Sequence, residues 1–215
     1  MLKEEVETII FDVDGTLSEE VSWLKLTHGL GASADEHTQI FESMKAREIT
    51  YPKAKGLLIK LWQKTRNANK AYMEKMFRSW KLKHDASVTI NYLKETYRIC
   101  LMSGSVDLYV SIVADKLGVE DWYANTELVW DKEGNLIDFH YHANQAEKKL
   151  EHLKEYVESK GLNIKRCAIV GDGDSDIALF QELPYGIAVN KESYPALEAL
   201  AYKTVTDLSE LREIF

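Results

Sequence analysis

Three short strings gather carboxylates, glycines and hydroxyls: Asp12-Val13-Asp14-Gly15-Thr16, Ser103-Gly104-Ser105, and Gly171-Asp172-Gly173-Asp174-Ser175-Asp176. Each alone reads as a turn rich in Asp, Gly and Ser. Together they read as a site, because each follows a short apolar run (residues 6–11, 98–102 and 166–170) of the buried, parallel-strand kind. Open α/β sheets bind ligands at the carboxyl ends of such strands. Asp12, Asp14 and the acidic residues of 172–176 would converge on one edge. Unscreened carboxylates repel, so some take protons or a hard divalent cation sits among them. Ligands that are all oxygen point to Mg²⁺ rather than zinc. Ser103 and the backbone amides of Gly104 and Ser105 are neutral donors suited to a phosphoryl oxygen at a helix start. One ammonium would complete the charge balance. Lys148 and Lys149 both stand in a helical stretch, and Lys149 shares a face with Leu153 and Tyr156, whereas Lys148 shares one with His152 and Glu155. Periodicity favours Lys149.

The elements that must position these groups alternate. Residues 186–189 form a fourth buried strand, and helical patterns cover 106–117, 146–159 and 176–183. Residues 127–130 and 136–141 flank Asp131-Lys132-Glu133-Gly134-Asn135 as a hairpin. The alternation predicts an α/β fold with a doubly wound, mainly parallel Rossmann-like sheet, interrupted early by a helical insertion. In that insertion Thr50-Tyr51-Pro52 starts a helix, and 66–69 separates two apolar stripes: Leu57, Leu58, Leu61 and Trp62, then Met73, Met76, Phe77 and Trp80. Those stripes are read as packing between helices.

Charge marks the same division. Residues 18–86 carry 13 Lys/Arg against 8 Asp/Glu, a net of +5, within a chain of net charge −8. The basic run is either a solvated helical face or a positive lid for an anionic substrate. The overall balance disfavours nucleic acid as a partner. A chain of 215 residues needs no disulfide to hold its core. Cys100 and Cys167 each lie in an apolar run and read as buried free thiols of a reducing, cytoplasmic setting. No membrane span or signal peptide is expected from the sequence.

The constellation resembles the haloacid dehalogenase-like hydrolase superfamily, and most closely its phosphoserine phosphatase-like branch. The resemblance rests on residues 9–17, on Ser103-Gly104, on Lys149, and on Gly171 to Asp176, in order and spacing. It implies a core of residues 1–17 and 87–215 with an α-helical cap, 18–86, that sets substrate specificity. It also implies that Asp12 is the nucleophile, forming an aspartyl-phosphate, and that Asp14 is the general acid and then base. Asp12, the Asp14 carbonyl and Asp172 would hold Mg²⁺, with Asp176 in support. Thr16, Ser103, Gly104 and Lys149 would bind the phosphoryl group.

Four positions depart from that branch. Gly15 and Ser175 stand where Ser and Asn are usual. Val21 occupies the place of a Glu that reads the substrate amine, with Glu20 one residue earlier. The stretch 55–58 lacks the Arg that reads the substrate carboxylate. The expected function is a Mg²⁺-dependent phosphomonoesterase for a small phosphorylated metabolite; oligomeric state is not legible. The rivals are a phosphotransferase or phosphomutase of the same chemistry and a non-catalytic phospho-accepting module. Asp174 is read as a turn former and Thr16 as either a phosphate contact or a turn threonine. His140 and His142 share a strand face without a third ligand. His28, His37, His84 and His152 read as isolated surface or helix-face residues.

Overall fold

The structure, a computed structural model, describes residues 2–19, 21–189 and 194–215. Glu20 lies outside them. The chain runs β1 (Thr8–Phe11), α1 (Ser22–Gly29), α2 (Ala34–Lys45), α3 (Tyr51–Gln63), α4 (Lys70–Ser79), α5 (Ala86–Lys94), β2 (Arg98–Val106) and α6 (Asp107–Leu117). It continues through β3 (Asp121–Trp130), β4 (Leu136–Tyr141), α7 (Gln145–Lys160), β5 (Cys167–Gly171), α8 (Ile177–Glu182), β6 (Tyr185–Val189), α9 (Pro195–Glu198), β7 (Lys203–Val205) and α10 (Leu211–Ile214).

The strands form one seven-stranded sheet in the order β4-β3-β2-β1-β5-β6-β7. The pairs from β3 across to β7 are parallel, with Phe11 level with Leu101 on one side and Val170 on the other. The three strands whose tips carry the polar strings are therefore immediate neighbours. Alternate residues face opposite sides. Ile10, Cys100, Met102 and Ile169 pack with Leu153 and Tyr156 of α7 and Leu179 and Phe180 of α8. Ile9, Phe11, Leu101 and Val170 are equally buried, and α5, α6 and α10 pack together beside them. Helices on both faces make the sheet doubly wound, as the alternation predicts. The two cysteines are free and buried.

Local chemistry explains the element ends. The Asn144 side chain accepts from the Glu147 N–H and so fixes the start of α7, the helix that carries Lys149. Gly161, in left-handed backbone, ends it.

The chain divides into two compact units. The α/β unit comprises Met1–Glu19, Lys81–Thr126 and Tyr141–Phe215; the helical unit comprises Glu20–Trp80 and Glu127–His140. Relative to sequence boundaries of 18 and 86, residues 18–19 and 81–86 group with the sheet, and the hairpin residues 127–140 group with the helices. The reasons are specific. Gln63 donates to the Leu136 carbonyl at 2.8 Å, Lys55 pairs with Asp138 at 2.8 Å, and Phe139 packs edge-on to Trp23 and beside Trp62.

Inside the helical unit the Thr27 hydroxyl accepts from Trp62 Nε1 at 2.8 Å and meets His37 Nδ1 at 2.6 Å. His37 is buried and partnered there, which corrects its reading as an isolated surface or helix-face residue; its partners come from α1 and α3, beyond the reach of periodicity within α2. No helix among the described residues is long and apolar enough to cross a membrane.

Candidate active site

Asp12 follows the last residue of β1, with its N–H donating to the Val170 carbonyl at 2.9 Å, so its side chain leaves the sheet at the carboxyl edge. It is 4% exposed. Lys149, with no exposed surface, donates to Asp12 Oδ1 at 2.5 Å and to Asp176 Oδ1 at 2.7 Å. Lys148 instead pairs with Glu151 at the surface. Asp176 is equally buried, and its second oxygen accepts from the N–H groups of Asp172 and Gly173, which ties the β5–α8 loop to the cluster.

Asp12, Asp172 and Asp176 each bring an oxygen within 4.8 Å of the others. Burial raises the Asp12 pKa well above the usual carboxylate range, with Asp176 and Asp172 adding repulsion and Lys149 opposing it. Burial likewise lifts Asp172 to about 6, opposed by the Thr16 hydrogen bond and reinforced by Asp176. Burial works against the charge of Lys149, but Asp12 and Asp176 outweigh it and hold the ammonium above the ordinary lysine range. Three converging oxygens, two of them held in reluctantly ionised groups, fit a hard divalent cation.

Thr16 is fully buried and its hydroxyl donates to Asp172 Oδ1 at 2.8 Å. Its hydrogen bond is thus spent on a carboxylate of the cluster, an option that neither reading from the sequence included. Asp14 is half-buried on the same turn, with Oδ1 closed to solvent. Asp174 is exposed and stands apart from the three converging carboxylates.

Ser103 is buried near the end of β2, where the pairing with β3 shifts register. One expectation fails here. The strand runs on to Val106 and α6 starts only at Asp107. The Ser105 N–H donates to Ser103 Oγ at 3.2 Å rather than standing open at a helix start. A Cβ at Gly104 would lie 2.8 Å from Gln145 Oε1, so this position sits close against the start of α7.

Lys83 was invisible to motif reasoning. Its Nζ donates to the Gly15 carbonyl at 2.6 Å. It sits in the basic run without a spacing signal of its own. A second group of ligand atoms, from His84, Asp85 and Asp207, is more exposed, and the Ser209 N–H already donates to both carboxylates. His140 faces Glu127 and belongs to neither group.

The profile of the haloacid dehalogenase-like hydrolase family matches residues 9–181. The chain belongs to that family. Within it, the chain is phosphoserine phosphatase-like. It is 26% identical over 192 residues to the phosphoserine phosphatase of Methanocaldococcus jannaschii, covering 87% of each chain. A solved apo phosphoserine phosphatase superposes with a TM-score of 0.75 at 25% identity, covering 98% of both chains. A haloacid dehalogenase family hydrolase from Salmonella enterica serovar Typhi shares the fold at a TM-score of 0.79 and 15% identity, over 98% of this chain and 72% of that one. This family member is a phosphatase, and the readings as a transferase or a passive phospho-acceptor are not favoured.

Proposed function

We propose that this haloacid dehalogenase-like phosphatase is a Mg²⁺-dependent phosphomonoesterase that works through an aspartyl-phosphate on Asp12 and takes a small anionic metabolite ester. The observation that carries the proposal is the convergence of buried Asp12 and Asp176 with half-buried Asp172, Lys149 being paired with the two buried carboxylates.

An oxygen of the Asp12 carboxylate attacks phosphorus, and the bond to the ester oxygen breaks. Asp14 gives its proton to the departing alkoxide, which leaves as the alcohol. Asp14 then takes a proton from water, whose oxygen attacks the same phosphorus and releases Asp12 as a carboxylate. Lys149 and Ser103 hold the transferring phosphoryl oxygens, and Thr16 holds Asp172 in place. Asp12, Asp172 and the Asp14 carbonyl would hold Mg²⁺, with Asp176 in support; bound there, the cation offsets the charge of the carboxylates and the phosphoryl group.

Substrate choice belongs to the helical unit. Val21 is 58% exposed and offers no charge for an amine. Lys55, the basic residue in the stretch without an Arg, is engaged with Asp138 and the Phe139 carbonyl. Both features argue against a dedicated phosphoserine reader. The test is kcat/KM for phosphoserine, sugar phosphates and a generic aryl phosphate, each with and without Mg²⁺. Hydrolysis should require the cation, and phosphoserine should show no preference as large as ~10³, about 4 kcal/mol of transition-state binding. A larger preference would overturn the substrate reading; hydrolysis of nothing in the panel would overturn the function.

A further inference from the structure

Lys83 lies between α4 and α5, outside the strings that carry the proposed chemistry. Its half-buried side chain closes on the turn after β1. Nζ donates to the Gly15 carbonyl at 2.6 Å, and the Lys83 N–H donates to the Leu17 carbonyl at 2.8 Å. One residue thus grips the turn at two points. The gripped segment bears on the cluster directly, because a Cβ at Gly15 would lie 2.2 Å from Asp172 Oδ2. Burial pulls the Lys83 pKa below the usual lysine value, while Asp172, Asp85, Glu19 and Asp12 attract its charge. An ammonium kept there against desolvation acts on the charge of the site and not on solubility.

The charge balance shows what it does. With a divalent cation bound, the three clustered carboxylates and Lys149 sum to zero. An incoming phosphate ester would then meet a neutral site, unless another positive charge stood beside it. Lys83 is that charge. We propose that Lys83 is a positioning residue that clamps the Asp12-to-Leu17 turn through Gly15 and sets the net charge of the site, favouring phosphoryl anions and restraining cation affinity. This rests on the phosphatase reading above.

The test compares Lys83→Met and Lys83→Arg with the parent chain, each checked for fold by circular dichroism. Calorimetric titration measures Mg²⁺ binding, and then inorganic phosphate binding to the Mg²⁺-saturated protein. Lys83→Met should bind Mg²⁺ about 3- to 10-fold more tightly and phosphate about 10-fold more weakly, while Lys83→Arg stays within about threefold on both. Opposite shifts are the signature of charge; a merely loosened turn would weaken both. Parallel weakening in Lys83→Met, two unchanged constants, or an Arg variant as altered as the Met variant would each overturn the proposal. Neither titration needs turnover. A parent chain that hydrolyses no ester would therefore sink the phosphatase reading and leave the Lys83 result separately readable.

Discussion

The two units of the chain handle buried polarity in opposite ways. In the α/β unit, charged groups are taken out of water against one another: Asp12, Asp176 and Lys149 are buried as a set. In the helical unit, the buried network of Thr27, His37 and Trp62 is built from neutral groups, and burial lowers the His37 pKa, which keeps the ring uncharged. Buried charge is costly unless matched, and two buried carboxylates, with half-buried Asp172 beside them, are only partly matched by one ammonium. A neutral network is satisfied as it stands. The first unit is thereby poised to bind ions, and the second is complete without them.

The sharpest way to break this contrast is Asp12→Asn. An amide cannot attack phosphorus, so phosphate release should fall by about 10⁴-fold or more with the fold retained by circular dichroism. Residual turnover above a trace, with contamination excluded, would sink the covalent route.

Thr27→Val probes the other unit. It removes the acceptor of Trp62 Nε1 and the partner of His37. The expected cost is about 2 kcal/mol of stability by denaturant titration, with kcat/KM for an aryl phosphate held within about threefold. A stable variant with collapsed activity would show that the two units do not divide the labour in this way.

The smallest effect is a pH dependence confined to the α/β unit. Asp172, at about 6, and Asp12 hold protons more tightly folded than unfolded, where a carboxylate titrates near 3.8. Without Mg²⁺, their contribution to stability should therefore fall as pH rises from about 4 through about 6. A divalent cation replaces those protons. The gain in Tm on adding excess Mg²⁺ should be a few degrees larger at about pH 7.5 than at about pH 5, by scanning calorimetry. An equal gain at both pH values would argue against proton competition at the cluster.

How much of this was legible in the sequence depended on whether the signal was local. The strands β1, β2 and β5 announce themselves as apolar runs, and their polar tips follow directly. Lys149 could be told from Lys148 because Leu153 and Tyr156 repeat on its face, and all three are buried. The helix α5 was missed although Ala86, Thr89, Ile90 and Leu93 form a buried stripe at helical spacing. Three-residue β7 offers too little pattern to read. The Lys83 contact and the buried state of His37 are consequences of tertiary closure. Their partners, Gly15 across 68 residues for one, carry no periodic signal.

Gly15 has a last consequence, for how this sequence could have diverged. Its φ is +81°, and any side chain would run into the Asp172 carboxylate. A Ser there, as in the pattern of the phosphoserine phosphatase-like branch, would be strained and would press on Asp172. The turn would have to change its backbone conformation, or Asp172 would have to move. Gly15 and Asp172 are thereby coupled: what one position tolerates depends on where the other side chain sits.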